Sequence, residues 1–598
     1  RGSVVYPADT VKELTTNLRQ ARKDFPSHRN PPAAIKRELV AQPFGFFSLL
    51  QTWASKDRSD YTLQPLLDDA HHLSTGRSKG GAWYLTPNGN HTSALIAAAS
   101  ASSGLKTLVF VQSTVLSEAS VKEFPSLLKS PRVKLTDEEL RWHRVAAEEM
   151  GGADHCYLQP TTDGQVGGGA ASHHGLLLRE ERLLHESLFK RKDGIDVLFA
   201  TSTLAQGMNL PSEVVIISGD SRFDPEVDKM AQLEAHELLN AAGRAGRAGE
   251  NSQGFVLVVP SRVVEFDNKS NLINSHWLTL QSIFAQSDQC LVIDDPTTIL
   301  LDKIHAGAFE QGMPAYFLSR LPASDENGSD APIRDIISRS FAAYRARQRG
   351  DADWVESRIA SAFAARKSAE PKDDAKWLNR VSGLTGVSVD ILHELSNLYE
   401  DTKTRESTEA ALDALLEWFE SNPDSFLKLV RPENIQGLFG GEYDKLTSER
   451  DRGAFALPVV SAMLRLWMKG SPLNVIEACH PKEDKAKCKH ARHFVLRIVP
   501  DLAFVAGLPA RLLAAQDEED EAIPLVIATL GSCVREGCDS PENLATRLSI
   551  GRSISRVAAR TKYTELLPYF QDGKPNEPFE DTMDRYRKAS ALSQFSEL

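Results

Sequence analysis

Apolar residues along this chain follow two regimes, and the change comes near residue 260. From about Gly104, short continuous apolar runs recur at Thr107–Gln112 (TLVFVQ), Asp196–Ala200, Val214–Ile217 and Gly254–Val259. Runs this short, bounded by turn residues, predict strands buried on both faces. Between them the spacing becomes helical. Glu180–Arg191 places Leu183, Leu184 and Leu188 inward, and Asp193-Gly194 stops it. Ser113-Thr114 predicts a helix start after the first run, and Gly164–Ala171 predicts a flexible loop. Strands separated by helices imply an α/β lobe with a parallel sheet covered on both faces.

After Pro260 the pattern is mainly helical. Ser324–Ala331 is a polar linker, and amphipathic spacing follows at Ile333–Arg347, Asp353–Ala365, Val389–Tyr399 and Ser407–Phe419. Further helical patterns occupy Leu473–Ala478, Ala491–Val499 and Ala522–Arg535. Upstream, Val11–Arg22 and Ala34–Thr52 predict helices in a polar stretch that contains Pro31-Pro32. The expected division is a partly helical linker or remnant at 1–75, the α/β lobe at 76–265, and helical regions at 266–430 and 431–598.

At 598 residues, with 41% hydrophobic and 25% charged, the chain is long enough for several cores. A net charge of −12 excludes a wholly basic nucleic-acid coat. It leaves room for a local basic channel, because attraction acts over a Debye length of roughly 10 Å. No run approaches 18 apolar residues, so no membrane span is expected. Six scattered cysteines make no disulfide framework, and no leader pattern opens the chain. A cytoplasmic protein is the expectation. The first residue is Arg1 rather than Met, which suggests a processed, trimmed or split product.

Three blocks carry chemistry: His173-His174-Gly175-Leu176, the run from Ala200-Thr201 through Thr203, Gly207 and Asn209 to Pro211, and Asn240-Ala241-Ala242-Gly243-Arg244-Ala245-Gly246-Arg247. Arg244 and Arg247 lie three residues apart, so both guanidinium forks can reach one anion. The small residues between them allow close backbone approach. The Thr201 block follows a predicted strand, which puts it at the carboxyl edge of the sheet, where such sheets bind ligands. Gln112, Ser113 and Thr114, at another strand end, suit phosphate oxygens.

In this order the blocks resemble the second RecA-like lobe of superfamily 2 helicases, in the Ski-like DExH branch. The resemblance covers roughly residues 100 to 260. It implies that Arg244 and Arg247 reach the γ-phosphate of ATP, with the last arginine acting as a finger. It also implies that Gly207, Asn209, Asn240 and Gly243 lie near the nucleotide, and that Thr201, Thr203 and His174 lie along the nucleic-acid path. Asn240 stands where the family usually has Gln. The resemblance further implies winged-helix and ratchet-like helical domains after the motor, ATP with Mg²⁺, and a single strand of DNA or RNA as partner.

A complete motor needs a G-x-x-x-x-G-K-[ST] loop. The one Gly-Lys pair here, Gly573-Lys574, is followed by Pro575. Asp68-Asp69-Ala70-His71 follows no apolar strand and makes no Walker B element. The expectation is therefore a first RecA-like lobe outside this chain, holding most of the ATP and Mg²⁺ contacts and acting as a partner. Without it, this chain should be inactive. The other reading is a non-enzymatic nucleic-acid scaffold or adaptor subunit with a degenerate lobe. No metal site is expected. Cys479-His480, Cys488, His490 and His493 raise a zinc question, but they lack a C-x2-C element. Lys485 to Arg497 is a local basic run, with Phe494 and Trp467 as candidate base-stacking residues.

Overall fold

The computed structural model describes residues 2–48, 58–201, 210, 212–224, 229–232, 245, 254–267, 272–273, 276–281, 295–309, 312–322, 329–368, 377–402, 405–516 and 523–596. The chain divides into two compact units. The first comprises residues 1–146 and 156–291, and the second residues 147–155 and 292–598.

The first unit is built on a ten-stranded sheet. Its spine runs 170–173, 197–200, 107–110, 214–218, 255–259, 2–7 and 265–267, each strand parallel to its neighbour. The apolar runs form these strands because alternate residues can sink into different cores. Leu108, Phe110, Leu198, Ala200, Val215, Ile217, Val256 and Val258 enter one core. Val109, Val111, Val197, Phe199, Val214, Ile216, Leu257 and Val259 enter the other. Helix Arg179–Lys190 covers the first face with Leu184, Leu188 and Phe189. Helices Ala8–Asp24, Gly89–Ser102 and Thr114–Leu127 cover the second with Leu14, Leu18, Ala97 and Phe124. This is the expected α/β lobe.

The amino-terminal stretch is not a linker. Gly2–Pro7 is a nearly fully buried strand between 255–259 and 265–267, and Val4, Val5 and Tyr6 enter the two cores. Phe44–Ser48 pairs antiparallel with it, and Tyr61–Pro65 extends that edge. The helix expected over Ala34–Thr52 stops at Glu38. Phe44, Phe46 and Phe47 are aromatic residues that suit a pleated surface. Gly45 allows the Phe47 ring to lie where a β-carbon would sit. Leu49 to Thr52 lie outside the described residues. The glycine-rich segment is also more ordered than expected: Gln165–Val166 pairs with Val133–Lys134 before the 170–173 strand begins.

The second unit is helical among its described residues, from Pro296–His305 to Phe579–Ser596. The single helix expected at Ile333–Arg347 is two, Ala331–Ser338 and Phe341–Gln348. Ser340 interrupts them because its hydroxyl caps the second helix through the Ala343 amide, at 3.2 Å. The described residues contain one helical stretch long and apolar enough to cross a bilayer, Lys489–Ala515, with mean hydropathy 1.6. Of its apolar window, 61% is buried inside the unit, as in the core helix of a globular domain.

Candidate functional site

Parallel register brings the strand ends to one edge. His173 pairs with Ala200, Ala200 with Phe110, Phe110 with Ile217, and Ser218 with Val259. His174, Thr201, Gln112, Gly219 and Ser261 therefore follow strands that finish together. The Thr201 amide donates to the His173 carbonyl at 3.0 Å, and the Val111 amide to the Ala200 carbonyl at 2.8 Å. Of the residues singled out in the sequence, the structure brings Gln112, Ser113, Thr114, His174 and Thr201 to this edge. Thr203, Gly207, Asn209, Asn240, Gly243, Arg244 and Arg247 lie outside the described residues.

Local bonds assign each of these residues a task. The Gln112 side-chain amide donates to the carbonyls of Ser218 and Gly219 at 3.1 and 3.2 Å, clamping two strand ends together. Ser113 caps helix Thr114–Leu127 through the Leu116 amide at 3.3 Å. That leaves the first turn of the helix, with its unpaired amides and dipole, directed at the edge. Phosphate oxygens suit such a terminus. Ser117, one turn on, ties the helix to the 197–200 strand by donating to the Phe199 carbonyl at 2.8 Å.

The histidine block is packed rather than open. His174 is 1% exposed, and its ring stands edge-on to Tyr157 with centroids 4.8 Å apart. Its Nδ1 accepts from the Leu176 amide at 3.3 Å. A side chain this enclosed orients its neighbours, and the strand contact expected of it is not available in this arrangement. Tyr157 in turn donates to Glu118 at 3.1 Å. His173 meets Glu186 at 3.1 Å. Burial alone would raise the Glu186 carboxyl, but His173 and Lys190 hold it below its ordinary value.

A lock beside this edge goes beyond the motifs read from the sequence. Asp220 accepts from the Ser261 amide at 2.6 Å and meets His276 Nε2 at 2.8 Å. Its position directly after a buried strand, in Ile217-Ser218-Gly219-Asp220, is the signal that the sequence offers. A hairpin is equally unannounced: Ser221–Asp224 pairs with Lys229–Gln232 just beyond this lock.

In the second unit the zinc donors are engaged elsewhere. His490 bonds Glu477 at 2.7 Å, and His493 bonds the Asn434 carbonyl at 2.7 Å. The described residues hold no cluster of three metal-ligating side chains. The basic run is not one solvated face, since Arg492 is fully buried and bonds the Lys487 carbonyl at 2.8 Å. Phe494 and Trp467 are core residues.

Residues 154–249 match the family of the helicase conserved C-terminal domain. The match lies almost wholly within the first unit. The chain is similar to the RQC trigger complex helicase SLH1 of Saccharomyces cerevisiae, with 38% identity over 90 residues, 15% of this chain and 4% of that protein. It is similar to the human U5 small nuclear ribonucleoprotein 200 kDa helicase, with 41% identity over 93 residues, 16% of this chain and 4% of that protein. Identity to the Arabidopsis thaliana ATP-dependent DNA helicase homolog MER3 is 36% over 94 residues, 16% of this chain and 8% of that protein. The match thus spans a small fraction of these relatives' length. These likenesses agree with the Ski-like superfamily 2 resemblance carried by the three motif blocks.

Proposed function

We propose that this chain supplies the second RecA-like lobe of an ATP-dependent nucleic-acid helicase, completed by a first lobe outside the chain. The observation that carries the reading is the common edge. Parallel strands finish in register there, and residues 201–211 and 243–247 belong to the segment that matches the helicase family. Gln112, Ser113, Thr114 and Thr201 would position the strand backbone, and Thr203 would continue that contact. Gly207, Asn209, Asn240 and Gly243 would face the nucleotide.

Arg244 and Arg247 are a fitting donor set for a γ-phosphate, because paired guanidinium forks stabilise the charge that spreads over its oxygens during transfer. Mg²⁺ would be held mainly by the first lobe outside this chain, the described residues here offering no cluster of three metal-ligating side chains. A cytoplasmic location and a DNA or RNA single strand complete the reading.

The test is nucleic-acid-stimulated ATP hydrolysis by this chain, alone and with a first-lobe polypeptide added. The expected result is silence alone and turnover in the pair. Arg247→Ala should lower turnover by about 10³–10⁵, the worth of such fingers in related phosphoryl transfer. One observation favours a second reading, a nucleic-acid scaffold with a degenerate lobe. Asn240, where the resembled family carries Gln, has a shorter side chain. Strand binding with no turnover in the pair, and no effect of Arg247→Ala, would establish that reading instead.

A further inference from the structure

The first unit holds an open groove that none of the motif blocks lines. Its described lining is Lys36, Arg37, His72, Leu73, Ser74 and Thr75, and its volume is about 280 Å³. Two segments far apart in sequence build it. Helix Ala33–Glu38 brings Lys36 and Arg37 in its last turn, and the Leu39 amide donates to the Lys36 carbonyl at 3.3 Å. Val40–Ala41 then pairs antiparallel with His71–His72, and the Leu73 amide donates to the Leu39 carbonyl at 2.8 Å. Leu39, Ala41, His71 and Leu73 are buried, which fixes both walls to the core. Alternation leaves His72 exposed, and Ser74 and Thr75 open the next strand, paired with Thr86 and Leu85.

This lining is cationic and unengaged. Among the described residues, no hydrogen bond or ion pair engages the side chains of Lys36, Arg37, His72, Ser74 or Thr75, and no carboxylate lines the groove. In a chain of net charge −12, a groove with cations and hydroxyls but no acid departs from the average surface. Lys36 and Arg37 also complement the carboxyl end of their own helix. That role gives no part to His72, Ser74 and Thr75, which come from the other segment.

Size and position narrow the ligand. The volume falls just short of the range of about 300–1,000 Å³ for pockets that enclose a whole small molecule. An open groove of this size fits one phosphate group of a larger ligand, neutralised by the cations and bonded by the hydroxyls. The Asn88 side-chain amide donates to the His72 carbonyl at 3.3 Å. A β-carbon on the next residue, Gly89, would lie 3.7 Å from Ser218 Oγ, where strand Val214–Ser218 ends at the motif edge. Asn88 and Gly89 therefore join the groove to that edge.

We infer that the groove is a phosphate site on the path of the nucleic-acid strand, holding a backbone phosphodiester beyond the contacts at the motif edge. This rests on the reading of that edge as a strand contact. Lys36 and Arg37 neutralise the phosphodiester, and His72, Ser74 and Thr75 donate to its oxygens. Such a contact positions the strand without reading its sequence.

The test measures binding of a thymidine homopolymer to the full chain across a range of salt, with inorganic phosphate as the second probe. Lys36→Glu/Arg37→Glu should weaken strand binding at least tenfold and lower the log-log salt slope by about 0.7 for each phosphate no longer neutralised. Ser74→Ala/Thr75→Val removes donors but no charge, so it should weaken binding about two- to tenfold and leave the slope unchanged. Lys129→Glu/Arg132→Glu is the control. Both residues are exposed, and they lie by Gly167–Gly169, before the start of strand 170–173, at the opposite edge of the sheet. This equal change of charge should leave strand affinity near that of the parent chain. Lys36 and Arg37 are exposed too, and an unchanged thermal melt confirms folding of each variant. A parent chain that binds the strand while both groove variants match it would overturn the inference alone. Equal loss in the control would also overturn it, by assigning the effect to the field of the whole lobe. Loss of inorganic phosphate binding with strand binding intact would overturn it in favour of a free anion. A parent chain that binds no strand would overturn the strand reading of the edge and this inference together.

Discussion

Removing the Asp220 carboxylate should loosen the edge of the helicase lobe without touching any motif residue. Asp220 is 1% exposed, with one oxygen 2.6 Å from the Ser261 amide and the other 2.8 Å from His276. Its own amide donates to Ser261 Oγ at 3.2 Å. The group therefore ties the exit of strand Val214–Ser218 to the exit of strand Phe255–Val259. Hydrogen bonds to a charged group contribute about 1.5–3 kcal/mol each, and breaking a buried pair costs about 3–5 kcal/mol. Asp220→Ala strands a buried amide and an imidazole, so it should cost about 3–5 kcal/mol by the same reasoning. Asp220→Asn keeps an acceptor for the Ser261 amide and should cost about half as much.

The pH dependence has a definite sign. Burial alone would raise the Asp220 carboxyl, but the bonds from His276 and Ser261 together hold it below its ordinary value. A carboxyl depressed by folding stabilises above its unfolded value, near about 4. That stability is lost as pH falls through the folded value. The readout is hydrogen exchange in peptides covering 214–221 and 255–264, which reports local opening. Protection should fall by roughly two to three and a half orders of magnitude in the alanine variant, at about 1.4 kcal/mol per decade. The acid-side slope should vanish in the asparagine variant. A cost below about 1 kcal/mol, the scale of an ordinary exposed pair, would refute the reasoning. So would an acid slope that survives in Asp220→Asn.

Two further perturbations probe other close-packed positions. Gly219 sits at φ +96°, and an added β-carbon would lie 3.4 Å from Ser261 Oγ. Gly219→Ala should cost about 1–2 kcal/mol, mainly from the left-handed backbone, and shift the Gln112 clamp, visible as lower protection at 107–112. In the second unit, Arg556 meets Glu149 at 2.8 Å and lies 4.1 Å from the centre of the Trp467 ring, nearly fully buried. Arg556→Met should cost about 3–5 kcal/mol and lower the thermal midpoint, whereas adding Glu149→Gln should cost less than the sum, because it removes the stranded charge.

The sheet was legible in the sequence where burial is two-sided. Thr107–Gln112, Val214–Ile217 and Gly254–Val259 read as strands because Leu108–Val111, Val214–Ile217 and Val256–Val259 are apolar at every position and alternate between the two cores. The Gly243–Arg247 motif reads from local glycine and arginine chemistry, and it falls inside the segment that matches the helicase C-terminal family. The site was not legible where a role is set by enclosure. His174 looks like a ligand contact in sequence, yet the packing of Tyr157 against it decides its exposure. Asp220 and His276 lie far apart along the chain, and only the fold makes them partners.

The largest misreading, the linker at 1–75, sets the strongest test of the architecture. Polar residues dominate that stretch, because helix Ala8–Asp24 buries a single stripe and the connecting segment at 24–38 is mostly exposed. The buried minority still completes both cores: Val5, Phe46 and Tyr61 on one face, and Val4, Tyr6, Val11, Leu14 and Leu18 on the other. Burying one such side chain is worth about 1.5–3 kcal/mol. Eight of them together, about 12–24 kcal/mol, match or exceed the whole net stability of a typical domain, about 5–15 kcal/mol. Removal of residues 1–75 would also bare the 255–259 strand, whose unpaired edge invites aggregation. A chain starting at residue 76 should therefore lack a cooperative melt for the helicase lobe, bind a hydrophobic dye and aggregate. A soluble, cooperatively melting product would mean that the amino-terminal strand is an appendage, and the sheet would then have to close without it.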